Sequence, residues 1–271
     1  MAFGIFAITL AFKRRCRNMK KLCLAILLLT LPFLTAFSQD ETADQQKVIS
    51  DFISCVKQQN KDELSGKIAY PLRREYPLPS IKNKQEFINR YHEVFDDSLV
   101  KMIVTSRPEQ DWSKMGWRGI MLHNGQLWLD EDGRLIAVNY QSAAERDKRA
   151  MLIDKDRSQL HPTIKDFKRP ACLLETRKFR IRIDDMGNGN YRYASWSLQN
   201  QQRDKPDLII ENGQFIPEGT GGNHRYEFKN EGYVYDCSIT VLGKEDNEPP
   251  AQLTIYKGGK EILSQPASVA E

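Results

Sequence analysis

From Cys172 onward the side chains alternate with a period of two, and turn residues recur about every ten positions. "KFRIRIDDMGNGNYRYASW" reads as two strands around a Gly/Asn turn. "YVYDCSITV" sets Tyr233, Tyr235, Cys237, Ile239 and Val241 in one row, and "LTIYKGGKEIL" turns at Gly258 and Gly259. "LIIENGQF" carries another turn signal at Asn212 and Gly213. Successive strand side chains point to opposite faces, so a half-buried strand must alternate, whereas a helix repeats every 3.6 residues. Roughly seven or eight short strands therefore predict an all-β domain over residues 171–271, a sandwich or small barrel.

The preceding half has helical periods. Val48, Ile49, Phe52, Ile53 and Val56 form the stripe of one helix, with Cys55 beside it as a core thiol, and residues 60–69 read as a second, short helix. "YPLRREYPLP" holds three prolines and reads as irregular. Asn83 and Glu86 have capping-box spacing ahead of Phe87, Ile88, Tyr91, Val94 and Phe95, and predict a third helix. Residues 99–105 read as a strand. Residues 143–170, strongly charged at first, read as a helix and a linker between two domains.

"GWRGIMLHNGQLWLDEDGRLIAVNY", residues 116–140, contains Asn124-Gly125 and Asp132-Gly133, both signals for tight two-residue hairpins. With both turns tight, Leu122, Leu127 and Val138 form one row, and Ile120, Leu129 and Ile136 another on the same face. The opposite face carries Trp117, Met121, His123, Trp128, Asp130 and Asn139, a candidate ligand-binding surface. His123 and Asp130 are the candidate catalytic groups, since an isomerase or cyclase needs a positioned base in an apolar cavity. Four residues separate their rows, about 13 Å along a strand, so they form no dyad.

Three helices followed by an antiparallel meander resemble the nuclear transport factor 2-like (cystatin-like) superfamily over residues 42–142. The resemblance rests on element order and implies an α+β cone whose sheet wraps the helices and whose mouth takes a small ligand. In the second half "RYASW", "KPDLIIENG", "GTGGNHRYEF" and "YKGGKEIL" resemble the C-terminal part of exported proteins of Gram-negative bacteria, chiefly gut Bacteroidetes. That resemblance implies periplasmic or extracellular residence and brings no assigned activity.

Residues 19–38 have the form of a secretory signal: MKK, an apolar run from Leu22 to Leu31, and Ala36-Phe37-Ser38 as the exit. The expectation is a signal peptide over residues 1–38, with Met19 as a possible true start, and no spanning helix after cleavage. Residues 1–38 hold six of the 40 basic residues and none of the 36 acidic ones, so the remainder carries 34 against 36 and a formal charge near −2. The overall charge of +4 belongs to the leader and gives no reason to expect nucleic acid as a partner. Three cysteines remain, Cys55, Cys172 and Cys237; export permits a disulfide between Cys172 and Cys237, with two buried thiols as the alternative.

The sequence contains no HExxH, GxSxG, Walker A or CxxC motif. "GNGNYR" is explained by a hairpin, "DEDG" lacks the spaced ligands of a calcium loop, and the four histidines are scattered, so neither a metal nor a cofactor is expected. The leading expectation is an exported, non-enzymatic binding protein whose ligand is a small molecule or another protein. Exposed members of Tyr191, Tyr193, Trp196, Tyr226, Tyr233 and Tyr235 would supply contacts. The alternatives are a small-molecule enzyme of the cyclase or isomerase type, and an inhibitor or immunity protein against an exported enzyme.

Overall fold

The computed structural model describes residues 43–241 and 248–270; the expected leader lies outside them. Helix α1, residues 43–57, buries Ile49, Phe52, Cys55 and Val56. Helix α2 (Lys61–Gly66) is capped by Asn60 and α3 (Lys84–Val94) by Asn83, whose Oδ1 accepts the Glu86 amide at 3.0 Å while the Glu86 carboxylate reaches back to the Lys82 amide at 2.9 Å.

Residues 97–105 correct the expected strand. They form helix α4 (Asp97–Thr105), because the Asp96 carboxylate accepts the Leu99 amide at 2.8 Å and fixes a helical start. Leu99 and Ile103, four apart, then share the buried face. The β-branched residues that suggest a strand are carried by this capped, packed helix.

A four-stranded meander follows: β1 (Trp112–Lys114), β2 (Ile120–Leu122), β3 (Leu127–Leu129) and β4 (Leu135–Val138), in that spatial order. Its inner face sets Trp112, Ile120, Leu122, Leu127, Leu129, Leu135 and Val138 against the helices in one core. Beyond β4 the sheet gains one parallel bridge, Ile68 to Leu135. The expected cone is not present: strands of three or four residues are too short to curl around helices, and the stretch that would have lengthened the sheet is α4.

The irregular "YPLRREYPLP" stretch is held by one cation. Arg74 donates through Nε to Glu145 Oε1 at 2.7 Å, through Nη2 to Glu145 and the Tyr140 carbonyl, and through Nη1 to the Val138 carbonyl. Glu145 stands in the first turn of α5 (Ala143–Gln159), which Ser142 caps, and both charged side chains are almost wholly buried.

The remaining chain forms β5 (Arg169–Glu175), β6 (Phe179–Gly187), β7 (Asn190–Ser197), β8 (Leu208–Pro217), β9 (His224–Asn230), β10 (Tyr233–Ile239), β11 (Ala251–Lys257) and β12 (Lys260–Val269). Every neighbour in sequence is an antiparallel neighbour in space, and β12 pairs back with β5, so the sheet closes into an eight-stranded up-and-down barrel. This replaces the two-sheet sandwich: the ring has no second layer, and its two faces are inside and outside. The closing seam is short, with Ser268 opposite Glu175, Val269 opposite Leu174, one further backbone bond from the Ala270 amide to the Leu173 carbonyl, and a long bond from the Ser268 hydroxyl to the Glu175 carbonyl. Gly258 and Gly259 form the two-residue turn between β11 and β12, whereas Asn212-Gly213 lies inside β8 as a bulge.

The barrel interior is packed with Leu174, Ile181, Ile183, Tyr193, Phe228, Cys237 and Leu253. Outside, α5 and the following segment lie on β6–β8: Leu160, Ile164 and Phe167 pack against Ala194 and Trp196. Beneath them lies a buried charge network. Asp184 accepts from Arg182 Nε at 2.8 Å and Arg192 Nη2 at 2.7 Å, and Arg192 also donates to the Ile164 and Asp166 carbonyls. Asp156 of α5 stands 2.7 Å from Arg182 Nη2, and the Phe167 ring lies 4.5 Å from the Arg157 guanidinium and 4.9 Å from that of Arg182. The charged run of α5 is thus partly spent on fastening the helix to the barrel wall. Among the described residues no helix is long and apolar enough to cross a membrane.

Candidate functional site

The meander sorts its faces by the turns it makes. The first hairpin has the expected pairing, Ile120 with Leu129, Met121 with Trp128 and Leu122 with Leu127. Its connection is a four-residue loop, however: the Leu122 carbonyl accepts both the Gly125 and Gln126 amides, with His123 and Gly125 at positive φ. The second turn differs more. The Asp130 amide donates to the Arg134 carbonyl and the Gly133 amide to the Asp130 carbonyl, with Gly133 at φ +81°, which is a three-residue turn with glycine in the left-handed position. Leu129 consequently faces Leu135, and a bulge restores Trp128 opposite Ala137. Leu135 therefore takes the core place expected for Ile136, which is left half-exposed.

The candidate residues on the outer face are dispersed. Met121 and Trp128 lie side by side on the sheet, half-exposed, with the Arg118 guanidinium 5.8 Å from the Trp128 ring centroid. His123 and Asn139 belong to the far end: Asn139 Nδ2 donates to the Gly125 carbonyl at 2.7 Å, and His123 is exposed, with Nδ1 4.0 Å from Asp111 Oδ1. Asp130 organises its turn, since Oδ1 accepts the Asp132 and Arg134 amides and Oδ2 accepts Arg134 Nε at 2.8 Å. Three of its roughly four acceptor positions are thus taken up by the turn itself. Trp117 and Asp130 do share a groove of about 720 Å³ at this end, lined also by Lys114, Arg118, Glu131, Asp132 and Arg134.

A more apolar hollow, which no single motif marks, lies at one end of the barrel. Phe179, Tyr193, Ser195, Asp207, Leu208, Tyr235, Leu253 and Ile255 enclose about 220 Å³. The strands place them there: Tyr193 and Ser195 are successive inward positions of β7, and Leu253 and Ile255 of β11. The Tyr193 ring packs against Phe228 at 5.4 Å and Tyr235 at 5.6 Å between centroids. Burial drives the Tyr193 hydroxyl far above its ordinary range, so it stays protonated, with Ser195 as hydrogen-bond partner. Asp207 stands at the rim and its Oδ2 accepts the Ser197 amide at 2.8 Å. In the barrel ladder Leu253 is opposite Gln265, whose Oε1 is buried without a hydrogen-bond partner.

Cys172 and Cys237 both belong to the barrel core and are free thiols; the disulfide is not formed. Burial pushes the Cys172 thiol up to about 12 and raises that of Cys237 still more clearly, which suits packing and not nucleophilic attack. Cys55 is likewise a buried thiol of the helical core. Among the expected contact aromatics, Tyr193, Trp196 and Tyr226 are buried, while Tyr191, Tyr233 and Tyr235 are partly exposed. Among the described residues no group of three His, Cys, Asp or Glu side chains is placed to hold a metal ion.

A third hollow, about 200 Å³, separates the helical half from the barrel. Its cations are already matched: Arg149 lies 2.9 Å from Glu75, and Arg169 lies 2.8 Å from Asp185 and 3.7 Å from Glu75. Arg149 also donates to the Tyr76 carbonyl, and burial pushes the Tyr76 hydroxyl up to about 12. These contacts fasten one half to the other.

No family model matches this chain, and neither a curated protein nor a solved structure does.

Proposed function

We propose that this chain is an exported binding protein whose barrel mouth takes a small, largely apolar ligand. The observation that carries the reading is the composition of the 220 Å³ hollow: six of its eight lining residues are aliphatic or aromatic. An eight-stranded barrel is just wide enough either to fill its interior with side chains or to hold one small ligand. Here side chains fill most of the interior and stop short of one end. A dry cavity of roughly 150 Å³ accommodates benzene, so the volume suits a single ring with a short substituent.

Binding is a better reading than catalysis because the hollow brings no poised acid or base to its occupant. Tyr193 is held neutral and Asp207 is engaged with an amide at the rim. The test is a screen of single-ring aromatic fragments by methyl NMR on the full chain. Shifts confined to Leu208, Leu253 and Ile255, and abolished by Leu208→Trp, are expected. Fragments that bind but leave those methyls unmoved, or a screen with no binder at about 1 mM, would refute the assignment.

A further inference from the structure

The second groove, at the turn end of the meander, has a different chemistry from the barrel mouth. Trp117 is 71% exposed, the most exposed large hydrophobic side chain among the described residues. It sits on a 3₁₀ turn, Gly116–Arg118, whose flanks are fixed: Gly116 has φ +61° and Gly119 +93°. At Gly119 a Cβ would lie 2.1 Å from the Leu129 carbonyl oxygen, so only glycine lets this loop press against β3. The Met115 amide donates to the Gly119 carbonyl at 2.8 Å and closes the loop. The indole is therefore held out on a braced platform, which reduces the ordering cost of any contact it makes.

The surroundings narrow the class of ligand. Lys114, Arg118 and Arg134 face Asp130, Glu131 and Asp132, so cations and carboxylates balance. A phosphate chain or anionic lipid surface would meet three carboxylates, and an acyl chain would strip water from six charged groups. A neutral ligand with one apolar face and many hydroxyls meets neither objection. Its C–H face lies on the indole, while hydroxyls donate to Glu131 and Asp132 and accept from Arg118. We propose that the Trp117 groove is a saccharide-binding site, separate from the barrel mouth and independent of its occupancy.

The experiment titrates the full chain with cellohexaose, maltohexaose and chitohexaose, following the Trp117 indole resonance and binding heat, with W117A and W117F alongside. At least one oligosaccharide is expected to bind, to weaken roughly tenfold or more in W117A, and to be largely retained in W117F. Near-ultraviolet dichroism of the buried Trp112 and Trp196 reports that the variants are folded. The proposal is overturned if no sugar binds at about 10 mM, or if W117A binds as tightly as the parent. It is equally overturned if phosphatidylglycerol vesicles or a single-stranded oligonucleotide, rather than a sugar, move the indole resonance. Fragment binding at Leu253 plays no part in either result, so the two assignments fail separately.

Discussion

The barrel and the meander are both antiparallel sheets joined by short turns, yet different things locate their residues. Barrel strands run for seven to ten residues and close on one another, so alternation along each strand decides inside from outside. Meander strands last three or four residues, and their turns decide the faces. Charge is buried differently too. On the barrel wall Asp184 serves two arginines, while in the helical half Glu145 serves Arg74 alone, with two carbonyls sharing the load. A carboxylate that is the hub of two cations should be harder to remove than one that serves a single cation.

Asp184→Ala tests this at its strongest. It takes the shared carboxylate from two buried guanidiniums, leaving Arg182 with Asp156 and Arg192 with the Ile164 and Asp166 carbonyls, and is expected to cost about 3–5 kcal/mol in urea unfolding. Adding Arg182→Met and Arg192→Met should recover most of that loss, because apolar replacement of a whole buried network is often neutral. Glu145→Ala comes next, at about 2–3 kcal/mol, since Arg74 keeps the Val138 and Tyr140 carbonyls. If Glu145→Ala proved the more costly of the two, the hub explanation would be wrong.

Gly213→Ala probes packing inside the ring. A Cβ there would fall 2.1 Å from Phe228 Cε1, so the ring must move, at an expected cost of about 1–3 kcal/mol in thermal unfolding. The smallest effect belongs to Glu93 on α3. Burial raises its carboxyl, but hydrogen bonds and charge from Lys148 and Arg90 outweigh burial and leave it lowered. A lowered carboxylate stabilises the fold above its unfolded value, roughly pH 4.3, and that contribution disappears as the pH falls through the folded value. Glu93→Gln should therefore cost less than about 1 kcal/mol at neutral pH and converge with the parent in acid.

The same contrast explains what was legible in the sequence. Leu122, Leu127, Ile120 and Leu129 could be assigned to one face because they flank a turn of even length. The exchange of Leu135 for Ile136 could not, since Asp-Gly permits either a two-residue turn or a three-residue turn with glycine last. Only the contact of Leu135 with Lys67 and Ala69 selects the second. Asn212-Gly213 misleads for a related reason: a left-handed Asn suits a bulge within a strand as well as a reversal. Residues 99–105 have strand-like composition, and the cap at Asp96 that makes them helical is one carboxylate among many. Alternation marked β7 and β11 as strands, but the barrel mouth depends on closure between β5 and β12, a meeting of residues some 90 positions apart that no local pattern encodes.

That seam has a mechanical consequence. Every other strand boundary of the ring is stitched by at least four paired positions, while this one has two and a single extra amide. A hoop parts at its thinnest join, so deuterium should enter the Ala270 amide, which donates across it to the Leu173 carbonyl, before the amides of β6 and β7. Passage into the barrel would then follow rupture of the join, with the rest of the staves left standing.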